Sequence, residues 1–204
     1  MNNRTEIKNW KRQTIYENYE AKINPFAFIT TKIDVTNLVK FCKINKNFYA
    51  AMTYCIVKAN NSIDEFRVRI EGGKTWQYDC VDPVFMEPFE NGVAGWYRVA
   101  MTEVYSCFIA EYKKTKQKFV DTQANVLGAN LGELWVSCEP WFQATSMIPP
   151  FDKSLPIPQF IWDKFVEENG RFTVNLMIMI HHGFADGKHI AAFIEKLNEE
   201  ISKF

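Results

Sequence analysis

All the histidines of this chain, three of them, fall in one nine-residue stretch near its C-terminus: His181-His182-Gly183-Phe184-Ala185-Asp186-Gly187-Lys188-His189. Imidazole is the side chain that takes and returns a proton near neutral pH, so general-base chemistry is the first reading. Asp186 lies four residues after His182, across a tight turn. Its carboxylate either holds the imidazole directly or locks the loop that carries it. Gly187 allows the backbone geometry that such a turn needs. Three histidines and an aspartate are also a possible ligand set for a metal. Adjacent residues on a strand point to opposite faces, however, so His181 and His182 are not expected to share an ion, and no metal is expected. His189 reads equally as a site residue or as an ordinary satisfied polar group.

The elements that must position these residues are legible on both sides. Phe172–Ile180 is mostly apolar and reads as a strand buried on at least one face. Asp186-Gly187 ends it. Ile190, Ala191, Phe193, Ile194, Leu197 and Ile201 then recur at helical spacing, with Glu195, Lys196, Glu199 and Glu200 between them. The histidines therefore sit where a core strand gives way to a surface helix. There a rigid element can hold the backbone while side chains reach a cleft.

Upstream, residues 7–20 read as a short helix with Asn9 as N-cap and Trp10, Ile15 and Tyr19 on its apolar face. Residues 26–34 read as a strand, 35–41 as a helix, and 48–60 as a second, strongly apolar helix. Glu65–Ile70 leads into a strand, and Gly72-Gly73 marks a hairpin turn before strands at 75–78 and 84–87. Residues 88–98 are the least regular part. A helix from Val104 runs into Lys113, Lys114, Lys116 and Lys118, read as its solvated face and end. Residues 134–138 alternate as a strand that turns at Pro140, and 149–158 form a proline-rich loop. Asn169-Gly170 between two apolar runs is a strong hairpin signal. There is no internal repeat, Walker-type phosphate loop or G-x-G-x-x-G.

A chain of 204 residues, 47% hydrophobic and 15% aromatic, suits one well-packed domain spanning residues 1–204. Its 24 basic and 24 acidic residues cancel, so nothing points to nucleic acid or an anionic membrane as partner. A polar start and the lack of a long apolar run make a cytoplasmic protein the expectation. The five cysteines are scattered without a C-x-x-C pair, which reads as free thiols in a reducing compartment. Cys138 lies nearest a candidate site.

His181-His182-Gly183-Phe184-Ala185-Asp186-Gly187 resembles the His-His-x-x-x-Asp-Gly signature of the coenzyme A-dependent acyltransferases. Within that superfamily the chain is similar to the chloramphenicol acetyltransferases. Asn9-Trp10-Lys11-Arg12 resembles the family's Asn-Trp-x-Arg, whose arginine pairs with the aspartate of the histidine motif. Glu65-Phe66-Arg67 is a further likeness. Ser146, six residues after Pro140 of the Pro140-Trp141 step, matches the family serine that hydrogen-bonds the oxyanion. The resemblance thus implies His182 as general base, Ser146 and Asp186 as its catalytic companions, and Arg12 as structural support of the site. It implies Tyr19, Trp96 and Ile161 as acceptor-binding residues. Three stretches depart from the family: Val93-Ala94-Gly95-Trp96 replaces a Thr-Glu-Thr-Phe segment, Ile161 replaces a frequent threonine, and Met147–Asp152 differs after the serine.

The resemblance further implies an α+β fold: a single two-layer domain, with a mixed or antiparallel sheet and packed helices. It implies acetyl-coenzyme A as cosubstrate with no permanently bound cofactor, and a small hydroxylated acceptor such as chloramphenicol, hence antibiotic resistance. A homotrimer with active sites at subunit interfaces is the expected assembly. The alternatives are the same fold with a different acceptor, or a catalytically silent homologue that binds small molecules or acts as an interaction protein.

Overall fold

The computed structural model describes residues 3–45, 47–127 and 131–204. In chain order the elements are β1 (Arg4–Glu6), α1 (Gln13–Glu20), β2 (Phe26–Asp34), α2 (Thr36–Asn45) and α3 (Phe48–Asn61). A short 3-10 turn (Asp64–Arg67), β3 (Val68–Glu71), β4 (Lys74–Tyr78), β5 (Asp82–Pro88), β6 (Ala94–Arg98) and α4 (Tyr105–Thr122) follow. The chain ends with β7 (Glu133–Glu139), β8 (Gln159–Asp163), β9 (Val166–Glu168), β10 (Arg171–His181) and α5 (Gly187–Ser202).

A seven-stranded sheet in the order β2-β10-β8-β7-β5-β6, with β9 also paired to β10, organises the fold. β5, β7 and β8 run parallel to one another, and the other pairings are antiparallel, so the sheet is mixed. A smaller sheet joins β1, β4 and β3. The α+β architecture expected from the sequence is the one observed.

Alternation along β10 decides what each sheet face does. Phe172, Val174, Leu176, Ile178 and Ile180 point into the main core, with α3 and with Ile190, Phe193, Leu197 and Ile201 of α5. Met177 and Met179 point the other way, into a small cluster with Phe26, joined by Phe28, Met147 and Ile161. One face is therefore buried under helices, and the other is only partly covered, by the loop after β7. α3 is buried almost throughout, and for that reason it reads in the sequence as a solid apolar run.

Two expectations are corrected. Asn9 is not the N-cap of the first helix. It has φ of 60° and sits in a turn ahead of the helix, which begins at Gln13 with Arg12 in the cap position. Ile15 accordingly lies exposed, and Trp10, Tyr16 and Tyr19 form the packing face instead. Within residues 88–98, β6 is a regular strand antiparallel to β5. Its alternation is interrupted by Gly95, where an added Cβ would fall 2.3 Å from the ring of Phe89 and 2.7 Å from that of Phe119. The aromatic rings fill the space that a strand side chain would occupy, and the period-2 signal is lost.

The β9–β10 hairpin turns on Asn169 (φ 52°) and Gly170 (φ 77°), both left-handed, as its Asn-Gly sequence predicts. Gly170→Ala is expected to destabilise the fold by about 1–2 kcal/mol, because a Cβ is strained in that conformation. Urea denaturation would read this as a lower midpoint at unchanged slope.

Candidate active site

The site is built on a turn of five residues, His182–Asp186, between the end of β10 and the start of α5. Main-chain N–H groups of Phe184 (2.9 Å) and Ala185 (3.4 Å) donate back to the His181 carbonyl, which closes the turn. The His182 N–H donates to the Pro25 carbonyl at 2.8 Å and ties the turn to the segment before β2. Asp186 caps α5, accepting the Lys188 N–H at 3.3 Å, while its own N–H donates to Nδ1 of His189 at 3.0 Å.

Arg12 grips the same turn from 171 residues away in sequence. Its Nε donates to the Gly183 carbonyl (3.1 Å), Nη1 to Asp186 Oδ2 (3.1 Å) and Nη2 to the His182 carbonyl (3.4 Å). A planar fork with several fixed donors holds three acceptors in set directions, whereas a lysine ammonium is a compact, freely rotating donor. Desolvation pushes the Asp186 carboxyl upward. The Arg12 hydrogen bond, the charges of His189 and Arg12 and the Lys188 N–H outweigh it and hold the group below its ordinary value.

The three histidines have different partners and do not converge. His181 is buried: its Nδ1 accepts the Gly183 N–H at 3.0 Å, so its Nε2 carries the proton, 3.1 Å from the Glu20 carboxylate. Burial pushes its pKa below the ordinary value, against the Glu20 hydrogen bond and charge, which keeps the ring neutral. His189 accepts at Nδ1 and faces Glu65 at 3.2 Å through Nε2, so it is a capping residue. His182 has its Nδ1 3.1 Å from the Ala185 carbonyl. A carbonyl only accepts, so Nδ1 holds the proton and Nε2 keeps its lone pair. The Tyr19 ring stacks on this imidazole, with centroids 4.5 Å apart at 16°. A stacked imidazole hydrogen-bonded at Nδ1, whose Nε2 has no hydrogen-bond partner among the described residues, can take a proton there.

Gly183 lets α1 come close. An added Cβ there would lie 2.7 Å from the Tyr16 Cα, a backbone contact that no rotamer change relieves. Tyr16 in turn stacks on Phe184 at 5.3 Å, and Trp10 packs on the same ring at 5.6 Å.

Two clefts flank β7 and β8. The larger, about 510 Å³, opens on the sheet face away from the helices; Trp96, Trp135, Met147, Ile148 and Ile161 are among its walls. The second, about 440 Å³, lies at the C-terminal end of these strands, between Phe48, Trp141, Trp162, Lys164 and Phe165. Trp96 and Ile161 thus line one cleft, while Tyr19 lies apart from it, on His182. Ser146 is exposed on the loop after β7, next to Met147 of the larger cleft. Neither cleft includes His182 or Ser146 in its lining. Arg12, Tyr19, His182 and Asp186 form one group, while Trp96 and Ile161 form another. Glu20 and the Ala185 carbonyl were not foreseen; Glu20 lies 161 residues from its partner, and a backbone oxygen leaves no mark in a sequence.

A family model described as chloramphenicol acetyltransferase matches residues 1–198. Chloramphenicol acetyltransferase 3 of Escherichia coli is 26% identical over 210 residues, covering 95% of this chain and 94% of its own. Chloramphenicol acetyltransferase of Campylobacter coli is 27% identical over 208 residues, covering 97% of each. A solved chloramphenicol acetyltransferase superposes with a TM-score of 0.84 at 23% identity, over 98% of this chain and 100% of its own. The truncated catalytic core of a 2-oxoacid dehydrogenase multienzyme complex from Thermoplasma acidophilum superposes at 0.66 with 13% identity, over 97% of each chain.

The Asp186 shift sets an acid limb of stability. Its folded value lies below its unfolded one, about 3.9, so at pH values between the two the unfolded chain binds the extra proton. Stability therefore falls as pH drops from the ordinary carboxylate range through the folded value. Asp186→Asn is expected to melt below wild type at pH 7, and the gap between the two curves should narrow as pH falls below about 5. Thermal melts across that range check it; a constant gap down to pH 3 would mean that the clamp does not depend on charge.

Proposed function

Because the chain belongs to the chloramphenicol acetyltransferase family, we propose that it moves the acetyl group of acetyl-coenzyme A onto a hydroxyl of chloramphenicol or a similar small molecule, with His182 as general base. The observation that carries this reading is the Ala185 carbonyl on His182 Nδ1, which leaves Nε2 free to accept a proton. The acceptor oxygen attacks the thioester carbonyl carbon as Nε2 removes its proton. The resulting oxyanion takes a hydrogen bond from Ser146, a contribution of about 3–4 kcal/mol for a positioned donor. Collapse breaks the carbon–sulfur bond, and the departing thiolate takes the proton back from His182. Products are the acetyl ester and free coenzyme A, with no acyl-enzyme, because both substrates meet at one imidazole.

Asp186 and Arg12 act on the turn and not on the proton. The carboxylate is engaged by Arg12 and by the α5 N-terminus, and among the described residues no hydrogen bond joins it to His182. The larger cleft takes the acceptor against Trp96 and Ile161. The cleft of Phe48, Trp141, Phe165 and Lys164 suits the nucleotide end of acetyl-coenzyme A, with aromatic faces for a base and a cation for phosphate.

The working form is a homotrimer with one-domain subunits in the cytoplasm. The base and the acceptor cleft are separate groups in one chain, and the cleft lies on a sheet face that also exposes Phe142 and Ile148. A neighbouring copy against that face completes the site and covers the apolar surface. One observation favours an acceptor other than chloramphenicol: Ile161 puts a hydrocarbon, with no hydroxyl to order water, in the cleft wall.

Free coenzyme A release from acetyl-coenzyme A, followed with a thiol reagent, tests the reading. His182→Ala is expected to lower turnover about 10³-fold or more, with a melting temperature close to wild type. Unchanged turnover in that variant would end the assignment. Release with another hydroxylated compound but none with chloramphenicol would keep the base and change the acceptor.

A further inference from the structure

We infer that Asp163 is the positioning residue that holds Ser146 for the reaction, through a carboxylate that pins the loop after β7. This rests on the reading of Ser146 as the oxyanion donor. Ser146 is exposed, and an exposed loop serine does not hold a fixed direction unless its backbone is tied down. The tie is two residues away. Asp163, at the end of β8, is 1% exposed. Its Oδ2 accepts the Ala144 N–H at 3.0 Å and the Asn175 Nδ2 at 2.8 Å, and its Oδ1 accepts the Asn175 main-chain N–H at 2.7 Å. The next residue adds a second pin, as the Lys164 N–H donates to the Phe142 carbonyl at 3.1 Å.

The loop from Phe142 to Ala144 is thus held to the sheet on both sides, and Ser146 extends from a fixed point. A buried carboxylate normally needs a cation or several good donors. Among the described residues, the hydrogen-bond partners of Asp163 are these three N–H groups, from two elements. Asn175 belongs to β10, the strand that ends at His181. One carboxylate therefore links the Ser146 loop to the strand that delivers His182, and it couples the position of the oxyanion donor to that of the base. Its side chain emerges on the same sheet face as Ile161, two residues earlier on β8, and it lines the second cleft, beside Trp141 and Lys164.

Asp163→Asn tests this, since it keeps the shape but turns one acceptor into an NH2 facing N–H donors. The assay is steady-state turnover with acetyl-coenzyme A and chloramphenicol, or the hydroxylated compound selected by thiol release. Ser146→Ala alone is expected to lower kcat about 10²–10³-fold. Asp163→Asn is expected to lower kcat about 10–100-fold with little change in the KM for acetyl-coenzyme A, the signature of a lost transition-state interaction. In the Ser146→Ala background the same substitution should cost less than about threefold, because the group it positions is gone. An equal loss in both backgrounds would overturn the positioning role while leaving Ser146 as the donor. An unchanged kcat in Ser146→Ala would instead remove the donor reading, and Asp163's role with it. If Asp163→Asn does not fold, Asn175→Ala withdraws one carboxylate anchor and leaves Asp163 in place. It should lower kcat severalfold in wild type but not in Ser146→Ala, and equal effects would count against the proposal.

Discussion

A single guanidinium holds the reacting end of this protein together. The turn that carries His182 presents two outward main-chain carbonyls and one carboxylate within the span of a few residues. Phe184 and Ala185 bury the apolar side of this turn, but the two carbonyls and the carboxylate need a polar partner of their own. Arg12 accepts the geometry of all three groups at once. Its donors are coplanar and fixed, so the entropy lost in forming each further bond is small once the first is made. Only about a third of the Asp186 side chain is exposed, and less of Arg12, so solvent screens the pair partly and not fully.

Two adjacent histidines have opposite fates for a reason of the same kind. His181 ends β10 with its ring on the less covered sheet face, where Phe26, Tyr16 and Phe184 surround it. Both ring nitrogens are occupied, one by an N–H donor and one by a carboxylate, so no basic site remains. His182 is past the strand, its ring on Tyr19, and among the described residues only its Nδ1 is hydrogen-bonded. One imidazole is a structural pin, and the other is the one proposed as the base. The difference comes from which partners the turn offers, and not from the side chain itself.

The sheet divides labour between its faces. The helix-covered face supplies rigidity through a dense core of β10, α3 and α5 side chains. The other face keeps an apolar cleft and the exposed ring of Phe142, whose burial in water-free surroundings needs another molecule. A loop pinned by Asp163 borders this cleft and carries Ser146. Rigidity on one side and an exposed apolar surface on the other follow from where the helices pack.

The sequence by itself determined where the histidine turn lies, the strand and helix around it, and the α+β class. His182 and Asp186 were legible because four-residue spacing across a Gly-containing turn is a local feature. β10 and α5 were legible because burial writes itself as periodicity, and the Asn169-Gly170 hairpin because only certain residues tolerate left-handed backbone. The Arg12–Asp186 pair was legible through a resemblance. Only the tertiary structure decided the rest. It showed that β6 is a strand whose alternation yields to the rings around Gly95, and that Asn9 lies in a turn before the helix. It decided which nitrogen of each histidine bears the proton, because that choice is made by a carbonyl, an amide and Glu20, all set by folding. It also gave Asp163 its place between Ala144 and Asn175. Partners far apart in the chain leave no local pattern, and a hydrogen bond to a backbone atom is indifferent to the residue that offers it.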